Sequence, residues 1–332
     1  THTQTMLGGA ANTAANIATL GGKVDLVAPI GQDDAGHEFA TLAHTNARLR
    51  LLPVADSRST IVKARYSAHG QQLLRIDDEN QSSIAPSTQA TLEMTAVQAI
   101  IDSEIVVLSD YAKGALSPRL CQRIIAQARQ LGKPVVVDPK GSDFSRYRGA
   151  TIVTPNEKEL AVATGVMPSD NTALVAAAVD LARQFNFGWV AVTRGKDGVT
   201  LVSSAGHAVH IPSFAREVFD VSGAGDSFVA GLVCAIATDQ PMAEAVRYGN
   251  AVAGVAVGKA GTAVVTPQEV LALLASHAPV ERITRTRDYT VAHDIVSVTV
   301  LVPSATRFNA MNCACMSVGK PGYSVVRKLC AF

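Results

Sequence analysis

Asp220-Val221-Ser222-Gly223-Ala224-Gly225-Asp226-Ser227 runs into an apolar stretch from Phe228 to Ile236. Small residues at the start of a helix leave backbone N–H groups exposed, a nest suited to a phosphate or a developing oxyanion. Asp226 falls at that helix start. The helix dipole stabilises a carboxylate there, so a structural cap explains the residue. The same placement lets Asp226 take a proton from a hydroxyl while the Gly223, Ala224 and Gly225 amides hold a transferring phosphoryl group. A second glycine-rich segment, Gly8-Gly9-Ala10-Ala11-Asn12, opens a helix of small residues and is followed by Gly21-Gly22 and Gly31. Glycines allow close approach of backbone to a ligand, and the Asn12 amide can donate to and accept from sugar hydroxyls. A tight turn before a closely packed helix accounts for these residues equally well.

Other chemistries lack their signatures. The nearest approach to a G-x-x-x-x-G-K-[ST] phosphate loop is Gly254 to Ala260, which has no hydroxyl residue after Lys259. No G-x-G-x-x-G follows a strand pattern and no G-x-S-x-G elbow occurs. Cys313 and Cys315 form a C-x-C near Cys330, without the second pair or histidine a zinc site needs. His207 and His210 lack the glutamate of H-E-x-x-H and read as ordinary strand or loop histidines.

The elements that must position these residues follow an α/β pattern to about residue 275. Short apolar strands are expected at 24–30, 105–109, 135–138, 151–154 and 190–193, with helices at 10–20, 119–131, 157–163, 174–185, 224–238 and 242–257. Repeated β-α-β units with fully apolar strands imply a mostly parallel sheet covered on both faces, with ligands at the carboxyl ends of its strands. Residues 51–78 break the pattern: Thr60, Val62, Ala64 and Tyr66 alternate with Ile61, Lys63 and Arg65, a hairpin signal for a small β lid turning at His69-Gly70. Residues 276–332 read as an extension with one strand candidate, 294–302, no other clear period, and a net charge of +4 from seven basic and three acidic residues.

The chain has 332 residues, a net charge of +1 and 5% aromatics. It has no global field for nucleic acid or an acidic membrane and little surface for base stacking. No apolar run reaches the ~18 residues of a membrane span. Five cysteines without framework spacing, and no secretory signal, lead to the expectation of a reduced, cytoplasmic setting.

Gly8 to Gly31 and Asp220 to Val233, in that order and separation, resemble the two signatures of the ribokinase-like (pfkB) carbohydrate kinases, with Ser222 where Thr is frequent. Thr154-Pro155-Asn156-Glu157-Lys158-Glu159 is similar to the family's N-x-x-E, and Thr193-Arg194-Gly195-Lys196-Asp197-Gly198 to its nucleotide-binding turn. The resemblance covers about residues 6–275. It implies a three-layer α/β sandwich with a β lid, in one kinase domain over 1–275. Within the family, Leu108 to Leu116 and Val137 to Ala150 resemble the subgroup acting on D-glycero-β-D-manno-heptose 7-phosphate for lipopolysaccharide, in its stand-alone form since no H-x-G-H motif follows.

That resemblance implies ATP and Mg²⁺, with Asp226 as base and the amides of Gly223, Ala224 and Gly225 on the phosphoryl group. It places Gly8, Gly9 and Asn12 on the sugar and Asn156 and Glu159 on Mg²⁺ through water. Thr193, Gly195 and Asn250 are implied at the nucleotide. A monovalent cation near the Asp220 loop is implied too, with carbonyls of Gly261-Thr262. Lys140 is the first choice for the substrate phosphate, ahead of Lys63, Arg65, Arg75 and Lys113. Each of these basic residues is equally explained as a solvated surface charge. Family members begin with a strand, bearing an acidic sugar contact, ahead of the Gly-Gly motif. Here only seven residues precede Gly8, so the central sheet is expected to lack that strand. Exposed lid edges would allow a homodimer. The competing readings are a kinase for another sugar or nucleoside, and an inactive sugar- or nucleotide-binding protein.

Overall fold

A computed structural model describes residues 2–68, 71–78, 83–215, 217–277, 297–301 and 323–331, the last two segments and the ends of the lid strands as backbone only. The expected His69-Gly70 turn and the C-x-C motif lie outside the described residues. The strands are β1 (His2–Gly9), β2 (Lys23–Gly31), β3 (Leu49–Asp56), β4 (Ile61–Ala68), β5 (Gln71–Asp78), β6 (Ile105–Ser109), β7 (Val135–Asp138), β8 (Ile152–Val153), β9 (Trp189–Thr193), β10 (Val199–Ser203), β11 (Ala208–Ile211), β12 (Ser297–Leu301) and β13 (Tyr323–Ala331). The helices are α1 (Ala10–Thr19), α2 (Asp34–Ala43), α3 (Pro86–Asp102), α4 (Pro118–Gln130), α5 (Glu157–Thr164), α6 (Asn171–Phe185), α7 (Ala224–Ile236), α8 (Met242–Ala256) and α9 (Pro267–His277).

Nine strands form the main sheet in the order β11-β10-β9-β8-β7-β6-β12-β2-β3. From β9 to β3 every pair is parallel, and β10 and β11 add an antiparallel edge. The strands between β2 and β9 are built from runs such as Ile105-Val106-Val107-Leu108, each under 1% exposed, because helices cover both faces. One core layer gathers α1, α7 and α8 with Leu26, Val107 and Val136; the other gathers α3, α4 and α6 with Val27, Val106 and Val137. This is the expected three-layer α/β sandwich with a mostly parallel sheet.

The boundaries of the lid differ from expectation. Residues 49–56 pair with β2 at the edge of the main sheet, so the lid starts at Ile61. β4 and β5 form its antiparallel hairpin, with a register shift between Tyr66 and Ser67. The change of pattern at residue 51 could not separate a sheet edge from a hairpin strand, because one covered face gives both the same period. The lid sheet is completed as β1-β13-β4-β5, and its outer strand exposes Leu73 and Leu74.

The segment before Gly9 is a strand of that lid sheet, whereas the slot between β2 and β6 holds β12, parallel to both. The expected loss of a central strand is therefore made good by residues 297–301, inside the strand candidate of the C-terminal segment. Tyr323–Ala331 also forms a strand where no period was evident, and it pairs with β1 and β4. Two backbone ladders dictate this arrangement: β2 and β6 lie in the buried interior, where unpaired N–H and C=O groups are costly.

Small residues bring α7 and α8 together. A Cβ on Gly249 would lie 2.7 Å from the Phe228 carbonyl oxygen, and one on Gly231 would lie 2.9 Å from Gly249 Cα. Gly249→Ala should therefore cost about 1–3 kcal/mol of stability in denaturant titrations, the usual range for overpacking. An unchanged midpoint would show that the helices part freely. If β12 is an integral strand, amides of Val298–Leu301 should exchange with solvent as slowly as those of Val106–Leu108; exchange at unfolded-chain rates would contradict that pairing.

Candidate active site

Two helix starts meet at the carboxyl ends of the central strands. Gly9 ends β1 and caps α1 with φ 60°, a conformation suited to glycine, and this turn sets Asn12 in the first turn of α1. Gly223 caps α7 with φ 80°. A Cβ there would lie 2.7 Å from Asn12 Nδ2 and 3.6 Å from Asp226 Oδ2, so the position excludes side chains on two counts. Across this gap Asn12 Nδ2 donates to Asp226 Oδ2 at 2.8 Å. Asn12 is 1% exposed and Asp226 8%. Asn16 Nδ2 in turn donates to Asn12 Oδ1 at 3.1 Å, and Val265 N donates to Asn16 Oδ1 at 3.0 Å. Asn12 was expected to touch a sugar; the structure turns its amide onto Asp226 and Asn16 instead.

Asp220 is the brace of the second motif. Its Oδ1 accepts from Ser222 N at 2.8 Å and its Oδ2 from Gly261 N at 3.0 Å. This ties the loop before α7 to the Gly261-Thr262 turn, where Thr262 Oγ1 donates to the Leu7 carbonyl at 3.1 Å. The amide of Ala224 is used internally, donating to Val221 O at 3.2 Å. The expected three-amide nest is thus narrower, and Gly225 is the member that lines the adjoining cleft.

That cleft, about 170 Å³, is bounded by Asp110, Tyr111, Asp138, Lys140, Asn156, Glu159, Thr193 and Gly225, among others. It brings Asn156, Glu159, Thr193 and Lys140 together with Gly225 and Phe228 of α7. Asn156 caps α5 with its side chain accepting from Glu159 N, while Glu159 Oε2 accepts from Asn156 N at 3.0 Å. Lys140 Nζ donates to Glu159 Oε1 at 2.7 Å. Burial works against the Lys140 charge, but the Glu159 hydrogen bond and the Glu159 and Asp138 carboxylates outweigh it and raise its pKa. Lys140 therefore stands with the N-x-x-E pair. Gly195 sits in a 3-10 turn after β9 with φ 54°. Asn250 is 5% exposed and donates to the Pro212 carbonyl at 2.8 Å, so its amide is committed to the chain after β11.

Asp110, Tyr111 and Asp138 line the cleft and lie in the two segments that carried the subgroup resemblance, but no role was assigned to them from the sequence. Each stands at or just after the carboxyl end of a central strand, β6 or β7, the position where open parallel sheets collect ligands. That rule was the available signal. Burial, then the nearby Asp226 and Glu159 carboxylates, push the Asp138 carboxyl well above the usual carboxylate range. Among the described residues no group of three or more His, Cys, Asp or Glu is placed to hold a metal by itself. The oxygen donors of Asp138, Asn156 and Glu159 nevertheless fit Mg²⁺, which takes one or two carboxylates and completes its shell with phosphate and water. No helix among the described residues is long and apolar enough to cross a membrane.

Raised folded-state pKa means that Asp138 holds its proton more tightly when folded than when unfolded. Its contribution is therefore favourable at low pH and lost as pH rises from the unfolded value through the folded one. Asp138→Asn should raise the melting temperature at neutral pH and flatten the fall in stability above pH ~4. A lower melting temperature at neutral pH would mean that the ionised carboxylate is stabilised by its surroundings.

The model of the pfkB family of carbohydrate kinases matches residues 1–269. The chain is 43% identical over 265 residues to the bifunctional protein HldE of Methylobacillus flagellatus, covering 79% of this chain and 54% of that protein. It is 46% identical over 270 residues to the HldE of Azorhizobium caulinodans, covering 80% and 56%. It thus spans about half the length of these curated relatives. Among solved structures, Escherichia coli phosphofructokinase-2 in complex with substrates and products has a TM-score of 0.69 at 23% identity, over 80% of this chain and 86% of that one. Arabidopsis thaliana ribokinase complexed with ribose and ATP has a TM-score of 0.63 at 21% identity, over 80% and 86%. With the family model matched over most of its length, the chain belongs to the pfkB family of carbohydrate kinases.

Proposed function

We propose that this chain transfers the γ-phosphoryl group of ATP to the anomeric hydroxyl of D-glycero-β-D-manno-heptose 7-phosphate, giving the 1,7-bisphosphate. The observation that carries the reaction is Asp226, buried in the first turn of α7 beside Gly225 and a cleft shared with Asn156 and Glu159. The substrate is supported by the segments Leu108–Leu116 and Val137–Ala150, which supply Asp110, Tyr111, Asp138 and Lys140 to that cleft. The curated relatives are named bifunctional, and the part of them that this chain spans is matched by the pfkB model.

Asp226 accepts the proton of the anomeric hydroxyl as that oxygen bonds to the γ-phosphorus and the β–γ phosphoanhydride bond breaks, releasing ADP. The Gly225 amide and the positive end of α7 stabilise the charge on the equatorial oxygens. Mg²⁺, when bound, neutralises the ATP phosphates, with Asn156, Glu159 and Asp138 as its protein-side oxygen donors, directly or through water. Lys140 lies where it can meet a phosphate oxygen once Glu159 turns toward a cation. Thr193 and Gly195 border the nucleotide. Asn12 holds the base rather than the sugar, which leaves Gly8 and Gly9 as the backbone of the first motif near the acceptor.

ADP release should require heptose 7-phosphate in a panel of sugars, sugar phosphates and nucleosides. Asp226→Asn, which preserves the Asn12 contact in size and shape, should lower kcat by roughly 10²–10⁴-fold with an unchanged melting temperature. Turnover of the mutant at the wild-type rate would remove Asp226 from the base role. Turnover on a different acceptor would keep the reaction and replace the substrate, and binding without turnover would mark a catalytically inactive protein.

A further inference from the structure

Both oxygens of Asp226 already accept a hydrogen bond from the protein. Asn12 Nδ2 holds Oδ2, and the Tyr111 hydroxyl donates to Oδ1. Tyr111 comes from the loop between β6 and α4, lines the cleft, and is partly buried against the core layer that holds α1, α7 and α8.

The loop that carries it is held from several directions. Asp110 Oδ1 accepts from Ala112 N at 2.7 Å, and its Oδ2 accepts from the Tyr147 hydroxyl at 2.6 Å. Arg146 Nη1 lies 3.4 Å from the same Oδ2, while its Nη2 donates to the Leu116 carbonyl. Ala112, the residue after Tyr111, has φ 56°, a left-handed conformation that costs a non-glycine residue energy and persists only where neighbours enforce it. Asp110, Arg146 and Tyr147 thus fix the loop on both sides of Tyr111, and a strained residue sits beside it. The loop held in this way carries the Tyr111 hydroxyl to Asp226.

A kinase base faces a particular hazard. Water is small and abundant, and a free carboxylate beside a bound phosphoryl group would activate it as readily as a sugar. A tethered phenol on that carboxylate is hard for untethered water to displace. A sugar phosphate held by its other hydroxyls and its phosphate can displace it. We propose that Tyr111 is a positioning residue that guards the base: its hydroxyl occupies Asp226 Oδ1 until the acceptor hydroxyl replaces it, which keeps the phosphoryl group from water. This rests on Asp226 being the base.

The test compares wild type and Tyr111→Phe, which keeps the ring and its packing, as full-length chains of matched melting temperature. Without sugar, the variant should release ADP from Mg-ATP about tenfold faster or more, the effect expected on losing a hydrogen bond to a charged group. Adding Asp226→Asn should return that leak to the wild-type background. Calorimetric titration of heptose 7-phosphate in the absence of ATP should show the variant binding at least as tightly as wild type, since the Tyr111 hydroxyl no longer has to be displaced. An unchanged sugar-independent rate overturns the guard. Weaker sugar binding by Tyr111→Phe also overturns it, and would make the hydroxyl a sugar ligand. Failure of the base assignment reads differently: Asp226→Asn alone would then phosphorylate the sugar at the wild-type rate.

Discussion

The hydrogen bond between Asn12 and Asp226 joins the first turns of α1 and α7, and the rest of the site is arranged around it. It holds two helix N-termini at one point, where their dipoles add and their amides converge. The bond exists because Gly223 has no side chain; any Cβ there would displace the Asn12 amide. It is buried, so neither partner can be released to water without leaving an unpaired polar group behind. Asn16 and Val265 extend the same line of hydrogen bonds away from the cleft, so Asp226 is held by a chain of contacts reaching the loop before α9.

Around this point the molecule accepts unfavourable electrostatics. Burial raises the Asp138 pKa, and the Asp226 and Glu159 carboxylates nearby add to the effect. A protein selected only for stability would not keep three carboxyl groups beside one narrow cleft. Lys140 offsets part of the charge through Glu159. The arrangement has a physical purpose if a polyphosphate with its divalent cation enters, because the cation then meets ready oxygen donors. The α7–α8 contact is the mechanical counterpart: Gly231 and Gly249 let the helices approach closely, and Phe228 against Gly249 sets the angle of the helix bearing Asp226.

The backbone of the main sheet shows how strongly ladder pairing constrains a chain. The slot between β2 and β6 lies between two buried strands, and it is filled by a segment nearly three hundred residues after Gly8. A parallel strand needs only apolar residues of the right length and a connection that can cross the layer. Val298-Thr299-Val300-Leu301 meets the first requirement. The same tail then contributes β13 to the lid sheet, between β1 and β4.

Local sequence determined much of this. Runs such as Val135-Val136-Val137 could only be buried strands, and the order of strand and helix periods led to a parallel sheet with two helical faces. The glycine-led starts of α1 and α7 were legible because backbone conformation depends on neighbours within a few residues. Contacts across the fold were not legible. Asn12 and Asp226 are 214 residues apart, so nothing in either motif showed that the Asn12 amide would serve the carboxylate rather than a ligand. Tyr111 and Asp138 became site residues only when β6 and β7 lay side by side and turned their ends toward α7. Residues 51–56 were grouped with the hairpin that follows and joined the main sheet, since local pattern does not name the partner strand. Asn250 had the helix but not the surface, because only tertiary packing decides which side of α8 meets solvent and which meets Pro212.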